Sequence, residues 1–181
     1  MTSTIRLETE RLVLRPMSAE DIEPHCAMMA DPRVARFLSL DQKPQPKPMA
    51  WRQLASYLGH WQIRGFGFFS VIEKASGQWV GRVGPWAPEG WPAIECGWGV
   101  APDYWGRGFA PEAAVAAIAW TFETQPQLKR IISLIDPTNA NSQAVARKVG
   151  EEKSGELFKV ENFILDVWAA ERGDWVRRFG R

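Results

Sequence analysis

The stretch of the chain that decides its fold comprises residues 97–113 and reads GWGVAPDYWGRGFAPEA. It begins as a strand, passes through a loop with Gly106 and Gly108, and continues into a helix that Pro111 is expected to open. Glycines let the backbone approach a ligand, and the first N–H groups of a helix have no partner within it. Such a helix N-terminus favours a phosphate or pyrophosphate. A glycine-rich turn without a ligand is the alternative.

Two common phosphate-binding motifs do not fit this loop. The spacing of its glycines does not match GxGxxG, and the strand before it is predicted to belong to an antiparallel meander. The loop also lacks the GK[ST] ending of a Walker loop. An anion site in this loop would therefore be of another kind.

Composition and charge exclude several classes of protein. The chain has 181 residues, 45% of them hydrophobic and 24% charged, which is typical of one globular domain. Its formal net charge of +1 offers no overall field for nucleic acid or an anionic membrane. No run is long and apolar enough to span a bilayer, and the first residues lack a secretory signal, so we expect a cytoplasmic protein. Cys26 and Cys96 are not in a CxxC pair, and we expect no metal site.

Outward from the central stretch, the pattern predicts a mixed α/β chain. The expected order is β-α-α-β-β-β-α-β-α-β-β, with an antiparallel meander in the middle. Strands are predicted at residues 11–15, 68–73, 78–85, 94–101 and 131–135, followed by a last pair near the C-terminus that includes 163–168. Helices are predicted from Ser18 to the Asp31-Pro32 step, over 50–64, from Pro111, and from Asn141 or Ser142 to Gly150. Residues 43–48, KPQPKP, are expected to form an extended loop, and the arginines near the C-terminus a solvated tail.

Four motifs in order resemble one known family. Residues 105–113, WGRGFAPEA, are similar to the WG[KR]G[YF]AxEA signature of the GNAT acetyltransferases, above all the RimJ/RimL branch of ribosomal-protein N-terminal acetyltransferases. Residues 9–16 resemble its opening TERLxLRP strand, residues 95–102 the strand before the signature, and residues 136–142 with 148–150 its NxxS…KxG segment. The resemblance covers nearly the whole chain. It implies one domain over residues 1–181 with a mostly antiparallel central sheet, splayed at the cofactor site and flanked by helices.

The same resemblance implies acetyl-CoA as co-substrate. Val100 would pair with the pantetheine arm and offer a backbone N–H to the thioester oxygen, and Asn139 and Ser142 would lie beside the sulfur. The family holds the CoA pyrophosphate with loop amides, which here correspond to Gly106, Arg107, Gly108, Phe109 and Ala110.

The sequence departs from the family pattern at three positions. Asp103 stands where the wider family has Gln or Arg, and Ala146 stands where many members have a tyrosine general acid. The resemblance to the RimJ/RimL branch implies instead that Ser142 protonates the departing thiolate; a helix cap is its alternative role. Glu151 replaces the aromatic residue that usually follows KxG, so the packing of that turn is expected to differ.

Acyl transfer to an amine also requires the amine to be neutral. An α-amino group has a pKa of about 7.7–8.0, so a carboxylate acting through water suffices as base. Glu95, on the strand that leads to the splay, is the candidate; a solvated strand carboxylate is the alternative.

The acceptor is the open question. Trp51, Trp86 and Trp91 are the candidates for the wall of its pocket, and a protein N-terminus or a small-molecule amine is expected to bind there. A CoA-binding module without turnover is the competing function. An edge strand near Phe163 would allow a homodimer.

Overall fold

A computed structural model describes residues 5–39, 41–161 and 163–180. Its centre is a sheet of eight strands in the order β1-β2-β3-β4-β5-β6-β8-β7. The strands are β1 (Leu7–Glu8), β2 (Leu12–Pro16), β3 (Phe69–Glu73), β4 (Trp79–Trp86), β5 (Glu95–Val100), β6 (Arg130–Ile135), β7 (Glu152–Val160) and β8 (Phe163–Glu171). The predicted mixed α/β class and the antiparallel meander are confirmed.

The sheet changes direction at a single place. Strands β1 to β5 are antiparallel neighbours, and so are β6, β8 and β7. Between the two groups, β5 and β6 are parallel and pair only where Glu95 lies opposite Ile132. Beyond that pair the two strands separate and leave a gap that opens toward Val100.

Within the described residues, six α-helices cover the two faces of the sheet. They are α1 (Ile22–Met29), α2 (Pro32–Leu38), α3 (Lys47–Arg64), α4 (Phe109–Thr124), α5 (Ala140–Lys148) and α6 (Arg172–Phe179). The first three lie on one face, which we call the α1–α3 face. The other three lie on the α4–α6 face, where the largest apolar core contains buried side chains of α4 against β2, β3 and β4. Helix α4 is apolar on most sides because it is buried on most sides.

The first helix, α1, ends at Met29, close to the predicted Asp31-Pro32 step. A separate helix that was not predicted, α2, begins at Pro32, and the Asp31 side chain caps it by accepting a hydrogen bond from the Arg33 N–H. Two other predicted boundaries were wrong. Lys47 and Pro48 belong to α3 rather than to the extended loop, since proline is tolerated in the first turn of a helix. Helix α4 begins at Phe109, two residues before Pro111.

The C-terminus is not a solvated tail. Residues 172–179 form α6, and Trp175 is buried and donates a hydrogen bond from Nε1 to the Val149 carbonyl at 2.9 Å. Arg177 and Arg178 lie in this helix, and Arg181 lies outside the described residues.

The strand that begins at Phe163 is not an edge strand. Strand β8 lies between β6 and β7, and β7 is the edge at this end of the sheet. The homodimer was predicted from an edge strand near Phe163, and that basis is wrong. The homodimer itself stays an untested prediction. In the described part of the chain, no helix is long and apolar enough to cross a membrane.

Candidate active site

The glycine-rich loop presents a row of free backbone amides. Gly106 and Gly108 have φ angles of +76° and +79°, in the left-handed region that glycine adopts without strain. Gly108 is the N-cap of α4. None of the N–H groups of residues 106–110 donates a hydrogen bond to another described residue. Converging amides at a helix N-terminus form a cradle suited to a phosphate or pyrophosphate.

The end of β5 leaves backbone groups facing the gap. The Ala101 N–H donates to the Val80 carbonyl at 2.9 Å, so the neighbouring antiparallel pair, Gly81 opposite Val100, is of the type that is not hydrogen-bonded. The N–H and C=O of Val100 therefore face away from β4. Trp105 Nε1 donates to the Val100 carbonyl at 2.6 Å, which leaves the N–H of Val100 directed toward the gap.

Glu95 lies at the apex of this gap. Its side chain points to the α1–α3 face and is half-buried. Burial raises the pKa of the Glu95 carboxyl to about 7, although the hydrogen bond from Trp91 and the positive charge of Arg82 lower it in part. The Trp91 Nε1 donates to Glu95 Oε2 at 2.5 Å. A carboxyl with a pKa near 7 exchanges its proton at neutral pH, as a general base must.

Ser142 lies on the opposite face of β5, at the start of α5. The cap of that helix is Asn139, whose Oδ1 accepts from the Ser142 N–H at 3.1 Å, so the alternative role of Ser142 as the cap was wrong. The hydroxyl instead accepts a hydrogen bond from Trp98 Nε1 at 3.2 Å. An indole N–H can only donate, so the Ser142 proton remains free for another acceptor.

A comparison with known families now decides the class. Residues 11–152 match the family model described as an acetyltransferase (GNAT) domain, which is more than half of the chain. The chain is a GNAT acetyltransferase. This match confirms the predicted GNAT family, the GNAT-like fold and the N-acetyltransferase activity.

Individual relatives agree with this assignment. The uncharacterized N-acetyltransferase p20 of Bacillus licheniformis is 28% identical over 167 residues, which is 90% of this chain and 92% of the relative. The crystal structure of an acetyltransferase from Agrobacterium tumefaciens is 30% identical, with a TM-score of 0.81 over 95% of this chain and 97% of that one. Mycobacterium smegmatis RimJ, solved with CoA-disulfide, shares the fold at 19% identity and a TM-score of 0.72, over 94% of this chain and 88% of RimJ.

The structure of this GNAT acetyltransferase brings together most of the predicted site residues. The residues of the loop and strand end, Val100 and 106–110, line one path to the gap, and Glu95 and Ser142 flank it from opposite faces. Trp91 contacts Glu95 directly and lies 5.7 Å, centroid to centroid, from the Phe158 ring of the β7–β8 hairpin.

The other two predicted tryptophans lie apart from this contact. Trp86 stacks on Phe68 at 5.3 Å and belongs to an aromatic group on the α1–α3 face with Tyr57 and His60. Trp51 lies on α3 with half of its surface exposed. Its place in the acceptor pocket stays a prediction.

Behind the gap lies a buried polar group that the sequence did not predict. Ser133 Oγ lies 2.8 Å from the Cys96 carbonyl oxygen and 2.9 Å from Glu151 Oε1. The hydroxyl has a single proton, so it donates to one of these two oxygens at a time; a protonated Glu151 would satisfy both contacts by donating to the serine. Burial raises the pKa of Glu151 well above its ordinary value, a hydrogen bond from Ser133 lowers it in part, and the charge of Glu95 raises it further. Burial therefore favours the neutral form of Glu151.

This group also shapes the gap. The Cys96 carbonyl is the acceptor that the next β6 amide would use if β5 and β6 stayed paired, and the Ser133 hydroxyl takes it instead. The sequence signal for this buried polar group was Glu151, which stands where the family has an aromatic residue after KxG. Among the described residues, no group of three or more His, Cys, Asp or Glu side chains is arranged to hold a metal.

Proposed function

We propose that this enzyme transfers the acetyl group of acetyl-CoA to a primary amine by direct attack, without a covalent enzyme intermediate. The observation that carries the proposal is the path from the free amides of residues 106–110 to a gap flanked by Glu95 and Ser142. The chain forms one acetyltransferase domain over residues 1–181, and the acceptor is a protein N-terminus or a small-molecule amine.

The chain's own groups fit acetyl-CoA at three points. The loop amides of residues 106–110 would hold the pyrophosphate, and the edge of β5 at Val100 would pair with the pantetheine arm. The Val100 N–H would donate to the thioester oxygen, whose negative charge grows as the amine attacks. A preorganised donor of this kind contributes on the order of 3 kcal/mol.

Proton transfer is divided between two side chains on opposite faces of β5. The attacking nitrogen forms the new C–N bond and gives a proton, through water, to the Glu95 carboxylate. The C–S bond breaks, and Ser142 passes its free proton to the departing thiolate and takes one from solvent water, while Trp98 donates to the serine oxygen; the proton on Glu95 returns to solvent. Asn139 holds the Ser142 backbone and so fixes the position of the hydroxyl.

Release of free thiol from acetyl-CoA tests the proposal directly. We would supply three panels of amines: peptides with free N-termini, polyamines and aminoglycosides. Thiol release with one panel, lost in a variant that combines Glu95→Gln and Ser142→Ala but still binds CoA, is the expected result. Binding of acetyl-CoA without turnover in any panel or in amino acids would support the non-catalytic CoA-binding module instead.

A further inference from the structure

An arginine is buried in the sheet beside the candidate base without a partner for its charge. Arg82 lies in the middle of β4 and is only 5% exposed. It pairs with Gly99, and Glu95 pairs with Trp86 four residues along the same two strands. Because side chains alternate along a strand, Arg82 and Glu95 point to the same α1–α3 face.

The charge of Arg82 is not neutralised within the described chain. No hydrogen bond or ion pair joins its guanidinium to a residue that the structure describes, and its Nε is fully buried without a partner. The guanidinium packs against two aromatic rings, with Cζ 4.1 Å from the Phe68 centroid and 4.9 Å from that of Tyr57. Such contacts attract a cation but do not replace the hydrogen bonds it leaves in water.

The neighbouring titratable groups do not supply the missing anion. Asp21 is bound by Arg15 in a two-point ion pair with distances of 2.8 and 2.9 Å. His25 is neutral at pH 7, because burial and the charge of Arg82 lower its pKa to about 4. Burial raises the pKa of Tyr57, so its phenol is also neutral. Glu95 is within electrostatic reach but forms no ion pair with Arg82.

Phe68 connects the guanidinium to the candidate base. A Cβ atom at Gly97 would lie 2.9 Å from the Phe68 ring and 3.3 Å from Glu95 Oε1. The carboxyl group and the guanidinium therefore flank the same phenyl ring. A small molecule with an amine at one end and an anion at the other would have a partner for each end here.

We propose that Arg82 binds a carboxylate of the acceptor, so that the acceptor is an amino-acid-like molecule whose amine faces Glu95. This inference rests on the proposed acetylation of a primary amine and narrows its substrate class. A free amino acid fits the chemistry, and so does a peptide whose first residue is acidic; the test has an arm for each. Guanidinium groups bind carboxylates through two parallel hydrogen bonds, which Arg82 has available.

The test compares amines that differ only in the anion. Thiol release from acetyl-CoA is measured with the standard amino acids, with their carboxamides, and with peptides that begin with Asp, Asn, Glu or Gln. The amide is nearly the same shape as the acid and its amine is less basic, so chemistry without Arg82 would favour the amide. We expect kcat/KM for the best acid to exceed that of its amide by on the order of 100-fold.

Variants test whether Arg82 causes the preference for the acid over its amide. Arg82→Gln should remove it mainly through KM, Arg82→Lys should keep part of it, and the exposed Arg52→Gln serves as the matched control. Thermal melting and acetyl-CoA binding show whether each variant folds. If Arg82→Gln does not fold, the ratio of kcat/KM for the acid to that for its amide, measured in the wild-type enzyme and in Arg82→Lys, still tests the inference.

The outcomes separate this inference from the proposed function. Equal rates for acid and amide, or a preference that survives Arg82→Gln, would overturn the inference and leave N-acetylation intact. A thermal shift with an amino acid plus CoA that needs both the carboxylate and Arg82, without turnover, would support the inference and contradict the proposed reaction. The absence of both turnover and binding in every arm would overturn both.

Discussion

At the scale of single residues, Glu95 is expected to set the pH dependence of the reaction. Burial raises its pKa to about 7, so the base form accumulates as the pH rises through 7, and kcat/KM should rise with it. Glu95→Gln should lower kcat by about 100-fold or more and remove this limb of the pH profile, so that only the limb of the acceptor amine, at its own pKa, remains. Thiol release between pH 5.5 and 9 measures both.

Two further variants sharpen this expectation. Trp91→Phe removes the hydrogen bond that favours the charged carboxylate, so the limb should move to higher pH. Glu89→Gln, on the same loop with a fully exposed carboxyl, should leave the profile unchanged. A limb at the same pH in Glu95→Gln would exclude Glu95 as the base.

Ser142 and Trp98 are expected to act as a pair. Ser142→Ala should lower kcat while acetyl-CoA affinity is unchanged, because the thiolate then takes its proton from water. Trp98→Phe keeps the hydroxyl but removes the donor to its oxygen, so a smaller loss, of about 10-fold or less, is expected. Ser56→Ala, an exposed serine on α3, is the control. An unchanged kcat in Ser142→Ala would show that the hydroxyl transfers no proton.

Some of these residues could be predicted from the sequence and others could not. The glycine loop and Glu95 follow local rules, since they depend on a turn, a helix start and a strand position. Arg82 was not predicted because a charged residue within a strand usually indicates a solvated face. Only the tertiary packing of Phe68 and Tyr57 shows that this one is buried.

At the scale of elements, Gly108 in the loop before α4 has a matched control in Gly77, in the turn between β3 and β4. Gly108 and Gly77 have similar φ angles of +79° and +68°. Alanine at either costs roughly 1–2 kcal/mol of stability, because a Cβ is strained in the left-handed region. Only Gly108→Ala should also weaken acetyl-CoA binding, by on the order of 10-fold, since it reorients the amides that would hold the pyrophosphate.

Calorimetric titration of CoA into both variants measures this effect. Near a Cβ at Gly77 there is open space, whereas one at Gly108 would lie 3.3 Å from Arg11 Nη2. Equal affinity in the two variants would mean that the loop amides do not bind the cofactor.

Elements with clear local signals were predictable, and those that depend on neighbours were not. The strands of the meander are bounded by turn residues, and α4 is a long apolar run that includes Pro111 in its first turn. Half of the residues of helix α6 are charged, and Trp175 holds the helix against Val149, a contact that joins distant parts of the chain. Helix α2 was missed because proline was taken as an end rather than as a first turn.

At the scale of the whole molecule, the sheet separates two functions. The α4–α6 face offers the loop amides and Ser142, and the α1–α3 face offers Glu95 and Arg82. The gap between β5 and β6 is where the two faces meet, so an acetyl donor and an amine can approach each other from opposite sides. The buried Ser133 and Glu151 lie behind the point where the strands part.

This arrangement ties the stability of the fold to pH through Glu151. The unfolded carboxyl has an ordinary pKa of about 4.3, whereas burial raises the pKa of the folded one well above it. Stability from the protonated Glu151 is therefore complete below that ordinary value and is lost as the pH rises toward the folded pKa. Each pH unit in this window lowers the free energy of unfolding by up to about 1.4 kcal/mol. Each kcal/mol lowers the melting temperature by roughly 2–4 °C.

Glu151→Gln tests this dependence, because the amide can donate to Ser133 but does not titrate. Relative to the wild type, its melting temperature should increase steadily as the pH is raised from 5 to 8. Other titrating groups, including Glu95 and His25, are common to both proteins and contribute little to the difference. Glu152→Gln, the exposed neighbour, should follow the wild-type curve. Parallel curves for wild type and Glu151→Gln would show that Glu151 is not held neutral by the fold.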